Sequence, residues 1–258
     1  MPEATFPPPK RLGIVAALPE EAAGLLTEMA ADPATEIVQL GGRRFHVGTL
    51  EGRACVLTLA RVGKVAAATT TAAMIHHFDV EAILFTGVAG GAARHVGIGD
   101  IVIASETLQH DLDASPIFPR FEVPLTGLSR HPTDKGMTAR LTAAAQAFLG
   151  QRLPGPDAGS HDRASPRLHQ GLIISGDRFV STGIEVERLR SDLPDALAIE
   201  MEGAAVAQVC HDYGVACAIM RTISDRADDS AHVDFPAFLR DVASHYSDGV
   251  VRRFLREA

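Results

Sequence analysis

The chain has 258 residues, a formal net charge of -8 and 46% hydrophobic residues, which is enough to bury the core of one α/β domain or two small ones. Net acidity argues against nucleic acid or an anionic membrane as the main partner, since both call for clustered Lys and Arg. Trp is absent and aromatics make up 5%, so the core is built from Ala, Val, Leu and Ile, the usual filling of a sheet between helices.

Residues 1–10 are proline-rich with no apolar core, and are expected to be a disordered lead-in rather than a secretion signal. No apolar run reaches the roughly 18 residues needed to span a bilayer, so a cytoplasmic protein is expected. Residues 11–258 are expected to form the functional domain. Arg11 to Leu18 fits a buried strand, and Pro19 followed by Glu20 and Glu21 signals a helix start, with the helix running to Met29. Three short runs follow, 37–40, 44–50 and 54–59, separated by Gly41-Gly42 and Glu51-Gly52, and read as antiparallel hairpins.

Residues 65–77 predict a helix and 82–86 a buried strand, which ends in the loop Thr86-Gly87-Val88-Ala89-Gly90-Gly91. Another strand is expected over 100–104. Residues 109–133 are rich in proline and predict a long loop, which in a compact domain is usually functional. A helix over 138–149 and a surface connection over 151–167 come next. A strand over 170–175 ends at Gly176-Asp177, and a helix starts at 184–189. A strand over 196–199 runs into Glu200-Met201-Glu202, a helix covers 203–211, and a strand over 215–223 ends at Ser224-Asp225. One helix, 236–255, closes the chain. This alternation predicts an α/β fold with a mixed, strongly bent central sheet flanked by helices.

Ligands of open α/β sheets bind beyond the carboxyl ends of the strands, so the five polar or glycine-rich strand ends are the candidate site. Taken alone, each is ambiguous. TGVAGG permits close backbone approach at Gly90 but serves equally as a tight turn. Glu200 and Glu202 suit a ribose diol, since a carboxylate accepts from two hydroxyls, but acids also decorate helix N-termini. Ser224-Asp225 fits a desolvated, proton-bearing acid or a helix cap. The cysteines Cys55, Cys210 and Cys217 have no paired spacing and read as small buried hydrophobes in a reducing compartment. His110, Asp111 and Asp113 match no zinc spacing, and Arg43, Arg44, Arg61 and Lys64 read as a solvated basic set.

Taken together, and in order, these stretches resemble the 5′-methylthioadenosine/S-adenosylhomocysteine nucleosidase family, within the nucleoside phosphorylase fold. The resemblance rests on residues 12–21, Val62-Gly63-Lys64-Val65-Ala66-Ala67, residues 86–91 with 96–102, Ser175 to Val180, residues 199–207 and 221–225. It implies a three-layer fold, a small nucleoside substrate, no cofactor and no metal, and a homodimer with the 109–124 loop at the contact. Glu21 matches the acid that activates water, with Glu20 next to it as the alternative. Glu202 matches the acid that grips the ribose hydroxyls, with Met201 beside the sugar and Arg221 near that acid and the water. Asp225, supported by Ser224, matches the acid that protonates N7 of adenine. Phe179 matches the aromatic that stacks on the base, and backbone at Val180 reads its edge.

The chain departs from the family at Val88, where a serine is common, and at Arg61, where a small residue is common. The 113–124 segment also differs, which leaves the 5′ group open. A phosphorylase of the same fold, or a nucleosidase for another 5′-substituted adenosine, are the rival readings. Phosphorolysis needs cations where this chain carries Pro19-Glu20-Glu21, although Arg61 speaks for it.

Overall fold

A computed structural model describes residues 9–151 and 165–256. Most of the expected N-terminal lead-in and most of the 151–167 connection therefore lie outside the described residues.

Among the described residues, eleven strands form one mixed sheet: β1 (Leu12–Ala16), β2 (Glu36–Leu40), β3 (Arg43–Leu50), β4 (Arg53–Leu59), β5 (Ala82–Phe85), β6 (Val88–Gly91), β7 (Ile101–Gln109), β8 (Arg130–Pro132), β9 (Leu168–Ser175), β10 (Ala196–Glu200) and β11 (Ala216–Asp225). Their order is β2-β3-β4-β1-β5-β11-β6-β10-β9-β7-β8. The helices that flank it are α1 (Ala23–Ala31), α2 (Lys64–Phe78), α3 (Lys135–Leu149), α4 (Gly183–Asp192), α5 (Gly203–Tyr213), α6 (Ala231–Phe238) and α7 (Ser244–Arg256).

Period-2 alternation distributes the central strands between two cores. Leu12, Ile14 and Ala16 of β1, Ala82 and Leu84 of β5, and Ala218 and Met220 of β11 face α1, α3 and α7. Val15, Ile83, Phe85, Cys217 and Ile219 face the other way, onto α2 and α5. Both faces of these strands are therefore buried, which is why they read as unbroken apolar runs. The three cysteines are free and buried, as expected.

The expected bend of the sheet goes as far as closure. The first part of β11 pairs parallel with β5, and its last part pairs parallel with β6. Residues Met220 to Thr222 also pair antiparallel with β7. Since β6 pairs with β10, β10 with β9 and β9 with β7, these five strands form a closed ring. Strand β11 thus belongs to both halves, and its end carries Arg221, Ser224 and Asp225 into the ring.

Four sequence expectations need correction. The glycine loop is not a loop: Val88–Gly91 is β6, paired with β11 on one side and β10 on the other. Glycine is poor in a strand by propensity, but here two neighbours supply the ladder and leave no room for side chains. A Cβ on Gly90 would lie 2.9 Å from Cβ of Ala227 and 3.0 Å from Oδ1 of Asp225. The helix expected from Pro19 is instead a 3-10 turn, Pro19–Glu21, which breaks at Ala22 before α1 begins. The closing helix starts at Ala231, ahead of Pro236, and loosens into a π-helical stretch, Leu239–Ala243, before α7. Within the expected 109–133 loop, Arg130–Pro132 forms the short edge strand β8.

Candidate active site

Direct hydrogen bonds join the turn after β1 with β6 and the end of β11, and the end of β9 with the end of β10. Glu21 turns back from its 3-10 turn onto the end of β1. Its Oε2 accepts from the N–H groups of Ala17 (2.7 Å) and Leu18 (2.8 Å), and its Oε1 accepts from Val88 N–H (2.9 Å). Glu21 is buried whereas Glu20 is exposed, which separates the two adjacent acids. Gly87 makes the approach possible, since a Cβ there would lie 2.7 Å from Oε1. Burial raises the Glu21 carboxyl above its ordinary range, opposed by the nearby Arg221 charge and by the three N–H donors.

Strand β6 then links Glu21 to the end of β11. Val88 pairs with Thr222, Ala89 with Ile223 and Gly90 with Asp225. Ser224 Oγ donates to the Ala89 carbonyl (3.3 Å) and to Oδ2 of Asp225 (2.8 Å), while Ala227 N–H donates to Oδ1 (2.8 Å). Val88 and Gly90 are two residue steps apart, so the groups at the two positions are held about 7 Å apart along the strand. Burial raises the Asp225 carboxyl. The Ser224 and Ala227 hydrogen bonds oppose this, and the charges of Asp234 and Asp228 add to it. Val88 itself packs with Phe238 and Ala243, so its side chain supports the closing helices.

The Glu200-Met201-Glu202 turn divides its two acids between different tasks. Glu202, at the start of α5, is buried, and its Oε1 accepts from Gly63 N–H (2.7 Å). Burial, followed by the Glu200 charge, pushes its carboxyl up to about 8. Glu200 is filled from within the protein. It accepts from Ser175 Oγ, from the N–H groups of Glu202 (3.1 Å) and Gly203 (2.7 Å), and from Arg221 Nε (3.2 Å) and Nη2 (2.6 Å). The Glu200 oxygens thus face donors within the protein, among them Arg221 and the start of α5. Ser175 extends this network by accepting from Ala204 N–H (2.7 Å). The sequence placed Ser175 at a strand end but assigned it no role, because a lone serine carries no signal.

Arg221 is 1% exposed and lies over the Phe85 ring, its Cζ 3.9 Å from the centroid. Removing one partner of such a buried pair leaves an uncompensated charge, so Arg221→Met should destabilise the fold by about 3–5 kcal/mol. Adding Glu200→Gln should restore a large part of that loss. Urea unfolding of the two variants checks this, and equal stability of the single and double variants would contradict it.

The raised Glu202 carboxyl has a consequence for stability. From its ordinary value of 4.5 to about 8, the folded chain holds a proton on Glu202 that the unfolded chain releases. Stability from this group is complete below 4.5 and is lost as pH rises through about 8. Glu202→Gln, which keeps an acceptor for Gly63, should flatten the fall of Tm over that window. Identical pH slopes in thermal melts of the two proteins would contradict this.

Phe179 is 43% exposed and faces Phe235 of α6 at 5.4 Å between ring centroids, next to buried Val180. Phe235 escaped the sequence reading because it precedes the proline where the last helix was expected to begin. Met201 is half-buried beside Glu202. His110 and Asp111 form no metal cluster, and among the described residues no group of acids, histidines and cysteines is arranged to hold a metal. Asp111 instead pairs with Lys64 (2.5 Å) and accepts from Asp177 N–H (2.8 Å). Lys64 thus ties the 62–67 segment to the Ser175-Gly176-Asp177 strand end, where the sequence predicted a solvated side chain.

The family model of the phosphorylase superfamily matches residues 11–256. A 5′-methylthioadenosine/S-adenosylhomocysteine nucleosidase of Aeromonas salmonicida is 33% identical over 242 residues, covering 94% of this chain and 97% of the relative. An aminodeoxyfutalosine nucleosidase of Helicobacter pylori is 34% identical, covering 91% of this chain and 93% of its own. Among solved structures, the Neisseria meningitidis 5′-methylthioadenosine/S-adenosylhomocysteine nucleosidase in complex with methylthio-immucillin-A superposes with a TM-score of 0.84 at 33% identity, covering 96% of this chain and all of the other.

Proposed function

The chain belongs to the 5′-methylthioadenosine/S-adenosylhomocysteine nucleosidase family of the phosphorylase superfamily, an N-glycosidase family, and from that premise we propose that it hydrolyses the bond between adenine and ribose in 5′-thio-substituted adenosines. The observation that carries the reading is the β6 strand with one buried acid bonded at Val88 and another packed against Gly90. A general base and a general acid held apart in this way suit the two ends of a glycosidic cleavage.

In the proposed reaction, Glu21 takes a proton from water as the water oxygen bonds to C1′. The C1′–N9 bond breaks, and its electrons move into the adenine ring. Asp225 supplies the proton that N7 takes up, so adenine leaves neutral. The sugar passes through a cation-like state, which nearby carboxylates stabilise in a site sheltered from water. Glu202 accepts from the ribose hydroxyls, Met201 lies against the sugar, and Phe179 stacks on the base with backbone at Val180 beside it. Arg221 does not touch substrate in this scheme: it balances the charge of Glu200 and Glu21. The raised Glu21 carboxyl makes it a stronger base than an ordinary carboxylate, and the raised Asp225 carboxyl keeps its proton to higher pH.

Hydrolysis is preferred over phosphorolysis because the turn after β1 presents Pro19-Glu20-Glu21, with Glu21 where an attacking phosphate would need a cation. Incubation of the purified protein with methylthioadenosine, with and without phosphate, tests this. Adenine and free methylthioribose without phosphate are expected. Adenine that forms only with phosphate, together with a sugar 1-phosphate, would make the protein a phosphorylase.

A homodimer in the cytoplasm completes the proposal. The 109–124 loop exposes Ile117 (81%), which supports its role as the contact, and the buried free cysteines suit a reducing compartment. Among the described residues, no helix is long and apolar enough to cross a membrane.

A further inference from the structure

A cavity of about 630 Å³ opens between the end of β1, α1 and the β3–β4 hairpin. It shares its wall with the candidate site. Leu18, in its lining, donates its N–H to Glu21, and Val62, also in its lining, precedes Gly63, whose N–H bonds Glu202. Its link to the site runs through Leu18 and Val62, which adjoin the bonds made by the two acids Glu21 and Glu202.

The cavity wall is largely apolar yet carries Arg43, Arg44, Arg61 and His46. Arg43 donates to the carbonyls of Ala60, Gly41 and Ala66, and Arg61 donates to the carbonyl of Gly42. None of the ion pairs among the described residues involves Arg43, Arg44 or Arg61. Arg61 stands close enough to Arg43 for the two charges to repel, which together with burial lowers the Arg43 pKa. His46 is 8% exposed, and its Nδ1 has no hydrogen-bond partner. Arg61 also holds φ at +70°, a backbone region that non-glycine residues enter at a cost. An apolar cavity with unbalanced positive charge on its wall suits an apolar chain that ends in an anion.

We propose that this cavity receives the 5′ substituent of the substrate and that Arg61, with Arg44 beside it, selects tails ending in a carboxylate. The inference rests on the nucleosidase reading above and assigns Arg61 as a specificity residue for it. The tail of S-adenosylhomocysteine ends in a carboxylate, with an ammonium on the adjoining carbon, whereas methylthioadenosine ends in a methyl group.

Arg61→Gly tests this, because glycine adopts φ of +70° without strain and the side chain's one bond, to the Gly42 carbonyl, is exposed. In phosphate-free buffer at low salt, kcat/KM for S-adenosylhomocysteine should fall roughly tenfold, through KM, as expected for one lost charge-assisted hydrogen bond. The value for methylthioadenosine should stay within about twofold, since uncharged tails lose only packing. The difference should shrink at about 0.5 M salt, where exposed charges are screened. Equal losses for both substrates, or no loss for either, would overturn the inference. So would a phosphate-stimulated rate in the wild-type protein that Arg61→Gly abolishes, which would assign the arginine to phosphate instead. If the wild type cleaves neither substrate, the nucleosidase reading itself falls. Cleavage of methylthioadenosine without discrimination in the variant overturns only the role of Arg61.

Discussion

Glu21→Gln should lower kcat for methylthioadenosine by about 10³-fold while leaving its binding within a few-fold. General-base assistance contributes roughly 10²–10⁴ in rate, and an amide cannot take the proton from water. The substitution has a structural side as well. The Glu21 carboxylate accepts from Ala17 and Leu18 on one oxygen and from Val88 on the other. A glutamine offers one acceptor oxygen and one NH₂, so it leaves either Val88 or the Ala17–Leu18 pair facing another donor. That costs about 1–3 kcal/mol of stability. Turnover and substrate binding should therefore be measured well below the variant's melting temperature. Retained turnover in a folded, substrate-binding Glu21→Gln protein would remove Glu21 from the chemistry. Glu20→Gln serves as the control: it lies on the exposed side of the same turn and should leave kcat unchanged.

The second large effect is expected at Asp225. Asp225→Asn should reduce adenine release from methylthioadenosine by roughly 10²–10⁴-fold, because adenine leaves as an anion unless N7 is protonated. The same variant should lose far less on a riboside whose leaving group needs no proton, such as 4-nitrophenyl riboside. This split separates an acid role from a merely structural one: distortion of β11 would depress both reactions together. The wild-type pH profile follows from the same two groups. Activity should rise as Glu21 loses its proton, at a pH above the ordinary carboxylate range, because burial raises that group. It should fall as Asp225 gives up its proton, likewise above its ordinary value. For the activated riboside, whose leaving group needs no proton, the wild-type protein should lack that falling limb. Equal losses on both substrates would show that Asp225 acts through the fold alone.

Much of the molecule was legible as sequence. Buried strands announced themselves as apolar runs because both faces of β1, β5 and β11 are covered, and helices as Ala-rich segments between them. The acids Glu21, Glu202 and Asp225 stood out because they follow such runs directly, where a chain leaves the core and side chains can gather. Their order along the chain carried the family resemblance, since each motif sits at a strand end.

Other features depended on distant parts of the chain meeting. The pattern of the Val88–Gly91 stretch could not show that β10 and β11 would both pair with it, and its glycines read as a turn for that reason. The closure of five strands into a ring depends on β11 pairing with β5, β6 and β7 at successive residues. No local periodicity encodes this, because the pairing partners lie far away in sequence. The separation of roles between Glu200 and Glu202 is also tertiary. The two acids are near neighbours in sequence, yet one accepts from Ser175, Gly203 and Arg221, while the other accepts from the Gly63 N–H. Likewise, Lys64 resembled a solvated cation until the fold brought Asp111 within 2.5 Å of it. Residue type and spacing determined which chemistry was available. Long-range contacts decided which carboxylates stay free to use it, because a buried charge must find its partners wherever the fold puts them.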